Sequence, residues 1–206
     1  MNKLSAGFFI TAFLFLGHAG AADQDEKARA GKKKAEVIEE KASAQGGEAS
    51  PGPGGKITKG EAQAVDPAGK EPLEEAITCL ARTIYWEARG EDEASMQAVA
   101  NVVMNRLGHE GFPDTICGVV KQGREQGSCQ FSWWCDGRPD QAQNEVEYAR
   151  AKEVARKVLN GELKDRTDGA TYFHNRKVRP AWADKYIKTA TVGEHIFYKP
   201  EGGKAK

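Results

Sequence analysis

The stretch Thr83-Ile84-Tyr85-Trp86-Glu87-Ala88-Arg89-Gly90-Glu91 follows an apolar stripe in which Leu73, Ile77, Leu80 and Ile84 recur at steps of four, three and four. That is the spacing of one buried helix face. Three residues further along the same face stands Glu87. Burying an ionised carboxylate is costly, so the protonated form is favoured and the pKa rises. A carboxyl group that stays protonated near neutrality is what general-acid chemistry needs. Gly90 is placed to stop the helix, which sets Glu87 at the floor of a cleft and Glu91 just beyond it. A competing reading pairs Glu87 with Arg82 or Arg89 on a solvated face, and this stretch alone does not separate the two.

Outward from this helix the 206 residues divide into three parts. Met1-Asn2-Lys3, the apolar run Phe8–Leu16 and the small-residue pattern Ala19-Gly20-Ala21 read as a signal peptide over 1–21, cut near Ala21 or Ala22. Its apolar run is short for a membrane span. The reading is therefore export, with no stable membrane insertion after cleavage. Residues 22–72 hold no aromatic residue and only four large aliphatics, Val37, Ile38, Ile57 and Val65. Charged runs alternate there with Gly/Pro punctuation such as Ser50-Pro51-Gly52-Pro53-Gly54-Gly55, so a disordered tether is expected, with a fraying helix around Glu36–Ala42. Residues 73–206 carry all four Trp and all five Tyr, and 134 residues suit a single domain. This part has 20 basic and 20 acidic residues, which gives no electrostatic case for nucleic acid.

Cys79, Cys117, Cys129 and Cys135 all fall in this part. An even count in an exported chain suggests two disulfides, with three connectivities open. The preferred pairing is Cys129–Cys135, around Gln130–Trp134, with Cys79–Cys117 tying the first helix to a later loop.

Periodicity places helices at about 72–89, at about 94–107 through Met96, Val99, Val103 and Leu107, briefly around Ile116–Val120, and at about 140–160 closed by Gly161. Residues 123–137 read as a loop or hairpin, and 170–174 and 195–198 as short extended segments. The expected fold is mainly α with minor β, an α+β single domain.

Three constellations could carry chemistry. Glu87 and Glu91 lie four apart, roughly 6 Å at their Cβ atoms if on one helix, which permits an acid and a partner for glycoside cleavage. Gln130-Phe131-Ser132-Trp133-Trp134 offers rings for stacking on sugar faces and polar groups for their substituents. The third gathers Tyr172, His174, Trp182 and His195. Glu87, His174 and His195 are the donors a zinc amidase would use, but no HExxH or comparable pair occurs, so no metal and no cofactor are expected. No GxSxG is present, and paired cysteines are unsuited to nucleophilic catalysis.

Cys79–Glu91, Ala98–Arg106, Phe112–Val120, Cys129–Trp133, Asp136-Gly137, Ala170–His174, Pro180–Trp182 and Gly193–Tyr198 together resemble the spore cortex-lytic (SleB-like) cell-wall hydrolases. The match runs in order through nearly all of 76–199, and its cysteines look like those of a Gram-negative, periplasmic branch. The resemblance implies a lysozyme-like, lytic-transglycosylase-related fold acting on peptidoglycan glycan strands, with the first glutamate of the EARGE motif, here Glu87, as catalytic acid. Glu91 is then the second-carboxylate candidate, and Tyr85, Gln130, Phe131, Ser132, Tyr172, His174 and Trp182 are the substrate-binding candidates. Ser95 stands where many members have Gly, and the peptidoglycan-binding repeat of some members is missing. The expected reaction is cleavage of the β-1,4 bond between N-acetylmuramic acid and N-acetylglucosamine. The rivals are a metal-dependent amidase and a non-catalytic wall-binding module, and the need for a protein activator stays open.

Overall fold

A computed structural model describes residues 19–51 and 55–201; most of the expected signal peptide lies outside them. Six α-helices and a three-stranded sheet make up the described chain: α1 (Ala19–Ala44), α2 (Lys59–Ala64), α3 (Ala76–Ala88), α4 (Glu93–Arg106), α5 (Ile116–Lys121), α6 (Glu145–Leu159), β1 (Tyr172–Asn175), β2 (Ile187–Val192) and β3 (His195–Lys199). The α+β expectation is met. Among the described residues no helix is long and apolar enough to cross a membrane.

The helix bearing the opening stretch, α3, is the hub. It packs against α1, α4, α5 and α6, and every residue from Ala76 to Tyr85 is buried. Local chemistry fixes the ends of its neighbours. The Asp92 side chain accepts the Ser95 N–H at the start of α4, Thr115 does the same for Gly118 in α5, and Asn144 caps α6 through Val146 and Glu147. Cys79–Cys117 joins α3 to α5, and Cys129–Cys135 closes the loop carrying a short 3-10 turn, Ser132–Trp134. These are the two preferred pairings. The sheet has order β1-β3-β2 and is antiparallel throughout. Its inner face meets α4 through Ala98, Val102, Ala170 and Phe197.

One buried polar node ties the N-terminal segment to the helices. Asp66, at φ 44° and 1% exposed, accepts from Arg82 Nη2 and the Tyr148 hydroxyl at 2.8 Å each. Its other oxygen takes the backbone N–H groups of Lys70 and Glu71.

The structure corrects the reading of residues 22–72 as a disordered tether. Helix α1 runs for 26 residues, and Ala35, Ile38 and Ala42 are fully buried in the main core. Ile57, Ala62 and Val65 join them. Counting large aliphatics misses this surface because the stripe at steps of three and four, Ala28, Gly31, Ala35, Ile38 and Ala42, is mostly small residues that let a helix lie close to its partner. Gly31 shows how close: a Cβ there would stand 3.0 Å from the Glu61 carbonyl oxygen. Polar contacts complete the docking, with Lys34 on Glu61 at 2.8 Å and the Glu39 carboxylate capping the Ile116 N–H of α5. Helix α1 is stable through packing rather than propensity. Ile38→Ala is therefore expected to destabilise the fold by about 2–5 kcal/mol, measured by urea denaturation. An unchanged midpoint would restore the tether reading.

Candidate active site

At the C-terminal end of α3, Gly90 takes φ 83° and ends the helix as expected. Glu87, in its last turn, is half-buried at one side of a cleft of about 340 Å³. The cleft is formed by Trp86, Glu87 and Arg89 from the helix end, and by Ser132, Trp133, Asp136, Arg138, Pro139 and Gln143 from the loop before α6.

Neither arginine offered as a surface partner neutralises Glu87. Arg82 is committed to Asp66, and Arg89 lies over the Tyr85 and Trp86 rings at 5.4 and 5.3 Å. Among the described residues the Glu87 carboxyl makes no hydrogen bond or ion pair with a side chain. Burial pushes its pKa up to about 7, against a weaker pull from the Arg106 guanidinium. Arg106 is itself buried. It donates from Nε to the Thr171 carbonyl at 2.7 Å and stands over the Phe112, Phe131 and Tyr172 rings. Its Nη1 is buried without a partner. The cation therefore tempers the Glu87 carboxyl without pairing with it, and the group can both give up and retake a proton near neutrality.

The other candidates divide. Ser132 lines the cleft. Tyr85 does not: it is fully buried, and its hydroxyl accepts from Arg89 Nη1 and from the backbone N–H groups of Gln143 and Asn144 at 3.0–3.1 Å. Two positions before Glu87 on a helix is the wrong side, and Trp86 supplies the ring. Phe131 is also fully buried, against Arg106 and Phe173. Gln130 is exposed outside the cleft, its N–H donated to the Gln122 carbonyl. Tyr172, His174 and Trp182 form a separate aromatic cluster with Tyr186 and Tyr198 on the sheet. There His174 Nε2 meets the Tyr198 hydroxyl at 3.1 Å.

Glu91 leaves the helix at Gly90 and does not share the cleft. Its carboxylate lies 3.6 Å from His195 Nδ1, with Oε2 buried and unpartnered. A Cβ on Gly193 would strike Ser95 Oγ and Glu91 Oε2, so that glycine is what lets the β2–β3 turn close over this pair. The second carboxylate of the cleft is Asp136, which the sequence reading passed over although its Asp-Gly turn was in view. Glu87, His174 and His195 are not gathered into a metal-ligand set, and the described residues hold no group of three or more His, Cys, Asp or Glu placed to bind a metal ion.

The helical domain thus carries one carboxyl of raised pKa in an open cleft, flanked by indole rings and arginines. The chain belongs to the Cell Wall Hydrolase family, which it matches over residues 90–198. The match begins just after Glu87. The chain is 33% identical to the spore cortex-lytic enzyme of Halalkalibacterium halodurans over 59% of its own length and 34% of that protein's. It is 32% identical to the spore cortex-lytic enzyme of Bacillus subtilis over 59% of its length and 36% of that protein's. It thus spans about a third of these relatives. Among solved structures it resembles the catalytic domain of the Bacillus cereus SleB protein, at 31% identity over 60% of this chain and 89% of that one, with a TM-score of 0.49.

Proposed function

We propose that this chain is an exported peptidoglycan-cleaving enzyme that breaks the β-1,4 bond between N-acetylmuramic acid and N-acetylglucosamine with Glu87 as acid and base. The observation that carries the reading is Glu87 in its cleft, with a pKa of about 7 and no partner to neutralise it. Membership of the Cell Wall Hydrolase family and relatives named as spore cortex-lytic enzymes support the substrate class.

Glu87 donates its proton to the glycosidic oxygen as the bond from the muramic anomeric carbon breaks. The resulting carboxylate takes the proton of the muramic 6-hydroxyl, whose oxygen bonds to the anomeric carbon. One C–O bond is lost, another forms, and the proton count returns to its start without consuming water. Trp86, half-buried at the end of α3, supplies an apolar face for a sugar ring. The 1–21 segment would direct export and be removed near Ala21 or Ala22.

Mass spectrometry of fragments released from purified sacculi tests the reading. Anhydromuropeptides that vanish in Glu87→Gln and persist in EDTA are expected. Reducing-end fragments would mean attack by water, with Asp136 as the carboxylate available to activate it. Free stem peptides sensitive to EDTA would overturn the glycosidase reading in favour of the amidase. The pH dependence gives a second check. A donor must be protonated, so kcat/KM on solubilised glycan should fall about tenfold per unit above pH of about 7. A flat profile from pH 6 to 9 would exclude Glu87 as the acid.

A further inference from the structure

The cleft holds two arginines that meet no acidic partner among the described residues. Among the described residues, Arg82, Arg150, Arg156, Arg176 and Arg179 each meet a carboxylate, and Arg29, Arg106, Arg124 and Arg166, all outside the cleft, do not. Arg89 and Arg138, both exposed and both lining the Glu87 cleft, meet none. They enter it from different elements, Arg89 from the end of α3 and Arg138 from the loop before α6.

Arg89 is held in place. Its guanidinium lies over the Trp86 and Tyr85 rings, and Nη1 donates to the Tyr85 hydroxyl at 3.1 Å. Nε and Nη2 are left uncommitted. A stacked guanidinium has already lost much of its rotamer freedom, so it binds a planar anion at lower entropic cost. Asp136, a second acid lining the cleft, accepts the backbone N–H of Arg138 on Oδ1 at 2.9 Å, and among the described residues no guanidinium forms an ion pair with it. Glu87 also lines the cleft, and among the described residues neither guanidinium forms an ion pair with it. The cleft therefore presents two forks suited to carboxylates.

The N-acetylated sugars of a glycan strand carry no such group. Carboxylates sit on the peptides that hang from the muramic lactyl ethers. We infer that Arg89 and Arg138 form a carboxylate-binding pair that grips an acidic stem peptide attached to the strand lying over Glu87. This rests on the peptidoglycan reading above, and it makes the enzyme a reader of peptide-bearing glycan rather than of bare sugar chains.

The test is sedimentation with sacculi, in the full chain carrying Glu87→Gln so that binding is measured without turnover. Native sacculi are compared with sacculi whose carboxylates have been converted to methylamides by carbodiimide and methylamine. Retention should drop roughly tenfold on amidated sacculi. Adding Arg89→Gln and Arg138→Gln should give the same drop on native sacculi and no further drop on amidated ones. A charge-matched control, Lys33→Gln with Lys177→Gln, removes two exposed cations outside the cleft and should leave retention unchanged. If Arg89→Gln disturbs the aromatic stack, Arg138→Gln carries the test alone, because its guanidinium holds nothing in the fold. Equal retention on both sacculi, or equal losses in the control, overturns the pair. Charge-dependent retention with no glycan fragments from the wild type would instead sink the glycosidase reading and leave the pair standing.

Discussion

Glu87→Gln is expected to lower the release of fragments from sacculi by roughly 10³-fold, the scale of a positioned general acid, while making the fold more stable above neutral pH. The second half follows from the sign of the shift. The folded-state pKa of about 7 exceeds the ordinary 4.5, so between these values the folded chain binds more protons than the unfolded one and stability declines as pH rises. The rise from 4.5 to about 7 corresponds to at most about 3 kcal/mol. Solvent reaching the half-buried carboxyl reduces that to about 2 kcal/mol. The glutamine variant should lack this decline. Urea midpoints at pH 5 and pH 8 decide the matter: wild type loses stability between them, and the variant overtakes it at pH 8. Midpoints that track each other would mean that Glu87 is not desolvated.

Arg82→Met should have the largest effect on stability, a loss of about 3–5 kcal/mol at pH 7, because it strands the Asp66 carboxylate in the core. Burial alone would raise the Asp66 pKa, but the Glu71 N–H, the Tyr148 hydroxyl and Arg82 together hold it below the ordinary value. In the wild type this contribution is present above the unfolded carboxyl pKa of 3.8 and is lost as pH falls through the lower folded value. The penalty in Arg82→Met should shrink in acid, where the stranded carboxyl can protonate. Arg82→Met with Asp66→Leu should recover most of the loss. An intact midpoint in the single variant would mean that water reaches Asp66.

The helices α3, α4, α5 and α6 were legible because each buries a stripe of large apolar residues. Glu87 was legible because it ends such a stripe. β2 left no comparable signal: Ile187 is 46% exposed, and the strand's faces are both part-covered, so polar and apolar residues do not alternate. α1 was hidden by its reliance on alanine. The cleft wall was the hardest part to read. Asp136, Arg138, Pro139 and Gln143 lie in an irregular loop whose placement depends on contacts far along the chain, and no local period encodes those. The sequence marks Tyr85 and Phe131 as aromatic neighbours of polar residues, which describes a sugar platform and a buried clasp equally well.

That clasp has an evolutionary consequence. One wall of the cleft is a single connected piece of chain, closed on itself at one end by Cys129–Cys135 and pinned to α3 at the other by the Tyr85 hydroxyl on Gln143 and Asn144. The acid sits on α3, which grips this wall only through the Tyr85 hydroxyl and through Arg82 and Trp86 on the Asp140 backbone carbonyl, contacts that read no side chain of the wall. Mutations, insertions or wholesale exchange between these two ends can remodel what the cleft selects without moving Glu87.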